Sequence, residues 1–145
     1  MSPMGAYMAW LRSRVGTALV LVPSVNAVVR DADGRILLQR HREGGDWGLP
    51  GGAVEPEEDP ADALVREVRE ELDCAITVDG IHEVVFHAYP EFDLYMLVYA
   101  CTITDGRPRA VEVAEIAWVE PAKLPELDLL PADYPLARKL ASASI

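Results

Sequence analysis

Cysteine and basic charge are both scarce in this chain of 145 residues, which has two cysteines and 13 Lys and Arg against 24 Asp and Glu. Two thiols, Cys74 and Cys101, do not make a disulfide framework, and both are expected as buried thiols in a reducing cytoplasm. The formal charge of −11 repels nucleic acid backbones and anionic membranes. Neither a nucleic acid polymer nor a membrane is therefore an expected partner. A long apolar run is missing as well. The longest uncharged stretch, Val15 to Val29, is too short to cross a bilayer and is broken by Pro23, Ser24 and Asn26. Arg12 and Arg14 precede it as in a signal peptide, but no small-residue cleavage site follows. His41, His82 and His87 have no zinc-ligand spacing, and surface or strand roles are expected for them. There is no repeat and no low-complexity linker.

What is present suits one globular domain with a core that needs no staples: 50% of residues are apolar and 26% charged. Tyr7, Trp10, Leu11 and Arg14 fall at helical spacing, predicting a short helix over 6–15 that Gly16 ends. Residues 17–30 are apolar and β-branched. Asp31-Ala32-Asp33-Gly34 is turn chemistry, so 35–40 is expected as the hairpin partner of that strand. A glycine-rich loop follows, with five glycines between Gly44 and Gly52. Further strands are predicted over 75–89, 93–103 and 113–119, and a last helix from Asp133 or Tyr134 to about Ala143. The sum is an α/β (α+β) sandwich with a central mixed sheet.

The acid is concentrated. Residues 55–73 hold nine carboxylates and two arginines. Within them a helix is predicted over 60–72, with Asp59 as N-cap, Pro60 at the first position and Asp62 where a capping box wants an acid. Ala61, Leu64, Val65, Val68 and Leu72 make its apolar stripe. Glu67, Glu70 and Glu71 form a second stripe, and Arg66 and Arg69 are expected to project elsewhere. Nothing in helix stability favours three adjacent carboxylates, whereas a hard divalent cation would relieve their repulsion.

The stretch from Gly52 through Glu58, Arg66, Glu67, Val68, Glu70 and Glu71 to Cys74 resembles the Nudix box, G-x5-E-x7-R-E-U-x-E-E-x-G-U with U aliphatic. All six fixed residues up to Glu71 match, a coincidence expected roughly once in 10⁷ starting points. The lead-in Trp47-Gly48-Leu49-Pro50-Gly51-Gly52 is also similar, and the resemblance spans about residues 17–140. One position departs: Asp73 stands where the family has a glycine that ends the helix at positive φ, a replacement costing about 1 kcal/mol. A domain over 17–145 preceded by a lead-in over 1–16 is expected, the lead-in being a dimer contact or a packed helix.

The resemblance implies a cytoplasmic pyrophosphohydrolase of small nucleotides that uses Mg2+, with Mn2+ as a substitute. Glu67, Glu70 and Glu71 would hold the metal, with the Gly51 carbonyl and Glu58 as further ligands or supports. Arg66 would orient the glutamates. Glu112 and Glu115, just before Trp118, are the two candidates for a general base. Arg40 resembles a phosphate contact.

The tail Leu130-Pro131-Ala132-Asp133-Tyr134-Pro135 resembles the MutT and CTP-pyrophosphatase branch, in which the residue at Asp133 reads the base. Asp133 is equally readable as a helix N-cap. A (d)NTP or oxidised dNTP is the expected substrate, split to the monophosphate and pyrophosphate. An ADP-ribose or nucleotide-sugar pyrophosphatase is the alternative. Pro90 falls at a position shared by ADP-ribose enzymes and MutT-type members, and does not separate them. A nucleotide-binding regulator that no longer hydrolyses is the reading from another class, and the intact carboxylates speak against it.

Overall fold

The computed structural model describes residues 5–41 and 45–143. The first residues of the expected glycine-rich loop, 42–44, lie outside the described residues, as do 1–4 and 144–145. The element order is α1 (Gly5–Val15), β1 (Val20–Val29), β2 (Ile36–Arg40), β3 (Trp47–Gly48), β4 (Gly51–Ala53), α2 (Pro60–Leu72), β5 (Ala75–Ala88), β6 (Phe92–Asp105), β7 (Glu115–Val119) and α3 (Tyr134–Ala143). Two short 3-10 turns, Pro121–Glu126 and Pro131–Asp133, lead into α3. No helix among the described residues is long and apolar enough to cross a membrane.

The strands form a four-stranded mixed sheet in the order β4-β1-β6-β5 and a three-stranded antiparallel sheet in the order β3-β2-β7. The mixed α+β class is as expected, but the β1–β2 hairpin is not. β1 pairs with β4 over Ser24–Asn26 along one edge and in parallel with β6 along the other, while β2 pairs with β3 and β7 in the second sheet. Among the described residues the two strands meet across the turn in an isolated Arg30–Ile36 bridge, with the Asp31 amide donating to the Arg35 carbonyl at 2.9 Å. The Asp31 carboxylate holds that turn by accepting from the Asp33 and Arg35 amides at 3.0 and 2.8 Å. The segment expected as a loop also carries two short strands, β3 and β4.

Strand alternation divides the core. Val25, Ala27, Val29 and Leu37 pack with Ala63, Leu64, Val68 and Leu72 of α2. Val28, Ile36, Leu38, Met96 and Val98 face the other way, against Leu136, Ala137 and Leu140 of α3. The result is an α/β/α sandwich whose two helices lie on opposite faces.

The local signals of α2 act as read. Asp59 accepts from the Ala61 amide at 2.8 Å, and Pro60 opens the helix. Its buried face is shifted from the expected stripe: Ala63 is buried, while Ala61 is half-buried and Val65 is exposed. Glu67 and Glu71 lie on the buried face, each only 8% exposed. Asp73 closes the helix in the left-handed region, φ 52°, as its glycine counterpart would. Its charge is answered by Arg109, whose Nε and Nη2 donate to Asp73 Oδ2 at 3.1 and 3.0 Å. Cys74 and Cys101 are buried, and burial pushes the Cys101 thiol up to about 12.

Candidate active site

A cavity of about 420 Å3 opens between β1, β4, β6, the second half of α2 and the 130–133 turn, within the size range of small-molecule sites. Glu67 and Glu71 reach it from the buried face of α2, and Gly51 and Gly52 bring β4 alongside. The glycine at 52 is required by this approach: a Cβ there would stand 2.5 Å from the Glu67 carboxyl carbon. Glu112 lines the same cavity, its segment anchored by the Val111 and Glu112 amides donating to the Glu71 carbonyl at 3.0 and 3.2 Å. Asp133, Tyr89, Phe92, Leu94 and Met96 line it further along.

The two buried glutamates are electrostatically uncomfortable. Burial pushes Glu71 up to about 8; the Gln39 hydrogen bond opposes the rise, the Glu67 charge adds to it, the Gly51 amide opposes it and the Glu112 charge adds again. Burial also raises Glu67, against the charge and hydrogen bond of Arg66, while Glu70 and Glu58 push with burial. Buried acids shifted upward by burial and by one another are a recurrent mark of functional sites.

Arg66 does not project away from the carboxylates. Its Nε and Nη2 donate to Glu58 Oε2 and Oε1 at 2.7 and 2.9 Å, and its Nη1 to Glu67 and Glu70 at 2.9 and 3.5 Å. A planar fork bridging several carboxylates is the geometry arginine suits best. The Arg66 hydrogen bond holds Glu58 below the usual carboxylate value, and Glu58 in turn raises Arg66.

Other expected residues are placed elsewhere. Glu58, Arg66 and Glu70 do not line the cavity. Arg40 pairs with Glu115 at 2.5 Å across β2 and β7, its guanidinium 5.8 Å from the Trp47 ring centre. Neither residue lines the cavity, so Glu112 and Glu115 are separated by the fold.

Asp133 is not a helix N-cap. The 3-10 turn Pro131–Asp133 runs directly into α3, and burial, with no hydrogen bond acting beside it among the described residues, pushes the carboxyl up to about 7. Its Oδ2 lies beside Gly48, where a Cβ would come within 3.2 Å.

Three polar residues escaped the sequence reading. Asn26 lines the cavity and donates from Nδ2 to the Leu49 carbonyl at 3.1 Å. Gln39, fully buried, donates from Nε2 to Glu71 Oε1 at 3.2 Å. His41, expected at the surface, lines the cavity with Nδ1 3.6 Å from Glu71 Oε2. The available signal was a polar residue inside an apolar strand run: Asn26 in β1 and Gln39 in β2. Such residues are costly in a core unless partnered.

Among the described residues no three acidic, His or Cys side chains already converge on one point as a finished metal cage. The donor chemistry nevertheless fits a hard divalent cation, because the carboxylates of Glu67, Glu71 and Glu112 line one wall and those of Glu67 and Glu112 push the buried Glu71 carboxyl upward.

The NUDIX domain model matches residues 20–140. A MutT-like protein of Streptomyces ambofaciens is 31% identical over 83% of this chain and 77% of its own length. The CTP pyrophosphohydrolase of Escherichia coli is 35% identical over 77% of this chain and 86% of its own. Among solved structures, a MutT NUDIX hydrolase from Burkholderia pseudomallei superposes with a TM-score of 0.72 at 30% identity, covering 85% of this chain and 98% of that one. The MutT protein from Methanosarcina mazei has the same fold, with a TM-score of 0.78 at 24% identity over 87% of this chain and 96% of that one. The chain belongs to the Nudix family, in its MutT-like branch. It is a hydrolase of pyrophosphate bonds.

Proposed function

We propose that this Nudix hydrolase acts on nucleotide derivatives, and specifically that it splits a nucleoside triphosphate into the monophosphate and pyrophosphate with the help of Mg2+. One observation carries the reading: a single cavity is lined at one end by Glu67, Glu71 and Glu112 and further along by apolar walls and Asp133. The acidic end suits metal-bound phosphates and the apolar length suits a nucleoside.

Glu67, Glu70 and Glu71 would hold the cation, with the Gly51 carbonyl as a further donor. When bound, Mg2+ supplies neutralisation of the phosphoryl oxygens and a lowered pKa for a water. The chain itself supplies the rest. Arg66 fixes Glu67 and Glu70 against their mutual repulsion and is itself fixed by Glu58. Gln39 orients the Glu71 carboxylate by its hydrogen bond. Glu112 is the base that takes a proton from the attacking water, and Glu115 is occupied by Arg40. Asp133 faces the nucleobase.

The test is product analysis with Mg2+ or Mn2+ across the four ribo- and deoxynucleoside triphosphates, oxidised dGTP, ADP-ribose and nucleotide sugars, following the nucleoside monophosphate formed from each together with the pyrophosphate or sugar phosphate released. Pyrophosphate from a triphosphate is the expected result. Preference for ADP-ribose or a nucleotide sugar would refute the substrate assignment, and no turnover of any compound would refute the enzyme reading.

A further inference from the structure

α1 lies before the segment matched by the family model, yet it touches the cavity. Gly5, its first residue, is buried and lines the cavity together with Glu55. A Cβ at Gly5 would overlap the Glu55 carboxylate, and φ of 72° disfavours any side chain there. Met8 is 3% exposed and packs with Tyr7 and Leu11 against Val20, Val22, Phe92 and Leu94. Three of those residues, Val22, Phe92 and Leu94, are also cavity wall. Arg12 fastens the other end of the helix, donating to the Ala18 carbonyl at 2.7 Å and the Glu91 carbonyl at 2.8 Å.

Register shows which end of the cavity α1 touches. On β1, Asn26 is opposite Gly51 and Val25 opposite Gly52, level with Glu67 and Glu71. Val22, opposite Leu94 on β6, is four residues earlier, about 13 Å along the strand. The helix therefore backs the wall away from Glu67 and Glu71, with Glu55 at its Gly5 end and, beside it, Phe92 and Tyr89, whose rings are 5.0 Å apart.

We propose that α1 is a specificity element of the substrate site, closing the nucleoside end of the cavity through Gly5 and bracing the Val22–Phe92–Leu94 wall through Met8. The inference rests on reading this cavity as the nucleotide site. It assigns α1 to the nucleoside and not to the phosphates, so the two halves of the substrate report on it separately.

The experiment is calorimetric binding of a nucleoside monophosphate and of inorganic pyrophosphate with Mg2+, for the full-length wild type, Gly5→Ala and Met8→Ala. Steady-state turnover of the preferred triphosphate accompanies it. Ser13→Ala, on the exposed side of α1, is the control and leaves all values unchanged. In both test variants monophosphate affinity and KM weaken at least fivefold, while pyrophosphate affinity and kcat stay within twofold. If Gly5→Ala does not fold, Gly5→Ala with Glu55→Ala removes the overlap and takes its place. Unchanged monophosphate affinity in the folded variants overturns the inference, as does equal weakening toward both ligands. A wild type that binds neither ligand overturns the nucleotide reading and this inference together. A wild type that binds both, with insensitive variants, overturns this inference alone.

Discussion

Glu71→Gln separates the stability of this protein from its activity. The carboxyl is raised from an ordinary 4.5 to about 8, chiefly by burial. Each unit of pKa is worth about 1.4 kcal/mol, so at pH 7, where the metal-free fold holds the proton that the unfolded chain has lost, burying Glu71 costs about 3 kcal/mol. A glutamine has the same shape, still accepts from Gln39, and carries no charge to desolvate. The variant is expected to be more stable than wild type by about 1–3 kcal/mol in urea unfolding at pH 7 with a chelator present.

The sign can be checked by pH. Folding raises this pKa, so the folded state holds the proton more tightly than the unfolded chain. Metal-free stability therefore falls as pH rises from about 4.5 to about 8, and Glu67 and Asp133, also raised, add to the fall. Glu58, which is lowered, contributes the opposite slope. Glu71→Gln flattens the fall. Turnover with Mg2+ moves the other way, dropping by two or more orders of magnitude, about 3 kcal/mol of transition-state stabilisation. Glu67→Gln is expected to lose as much. A Glu71→Gln protein that is less stable than wild type without metal would refute the electrostatic argument. Near-normal turnover of both variants at saturating Mg2+ would refute the site.

Glu112→Gln is expected to lower kcat at least 100-fold, whereas Glu115→Gln stays within about threefold; the reverse order in steady-state kinetics would exchange their roles. Asp73→Gly should change stability by less than about 0.5 kcal/mol, because relief of the left-handed backbone is offset by loss of the Arg109 pair. In an Arg109→Ala background the same change should stabilise by about 0.5–1 kcal/mol, measurable by denaturant titration. Glu57 is the other non-glycine residue at positive φ, 66°, among the described residues, and Glu57→Gly should raise the unfolding free energy by about 0.5–1 kcal/mol without altering turnover.

The parts legible in sequence were those governed by local rules. Asp59, Pro60 and the left-handed stop at Asp73 are decided within one turn of chain, and α2 has the bounds its signals predict. The strand Val20–Val29 likewise followed from its apolar, β-branched run. What was not legible depends on partners far along the chain. The Asp31–Gly34 turn is a turn, but which strand β1 pairs with was decided by competition from β4 and β6. The stripe on α2 was misplaced because only apolar residues were counted into the face that packs on the sheet, with the glutamates set beside it as a second stripe. Glu67 and Glu71 instead lie on the buried face, where an ordinary helix would carry apolar residues, and such a broken rule is a mark of function. Glu112 and Glu115 are three residues apart and alike to any local rule. Only the packing of the 111–112 amides onto the end of α2, and of Arg40 against Glu115, separates them.

Asp133 offers a test of base recognition that depends on its protonation. Burial pushes its carboxyl up to about 7, so at neutral pH both forms are populated. The ionised form only accepts, which suits the amino edge of cytosine or adenine; the protonated form donates, which suits a keto edge such as uracil O4. Raising the pH from 6 to 8 is therefore expected to raise kcat/KM for CTP over UTP about tenfold, or about 1.4 kcal/mol of discrimination. The neighbouring Tyr89 hydroxyl, which accepts from the Ala132 amide, is itself raised by burial and stays protonated across this range. Asp133→Asn removes the titration while keeping an acceptor and a donor. The ratio should then become independent of pH and fall about tenfold from its wild-type value at pH 8. Because Asp133 caps no helix, the substitution should not destabilise the fold, and removing a buried acid should stabilise it above pH 7. Equal CTP to UTP ratios in wild type and Asp133→Asn at every pH would remove base reading from this carboxylate.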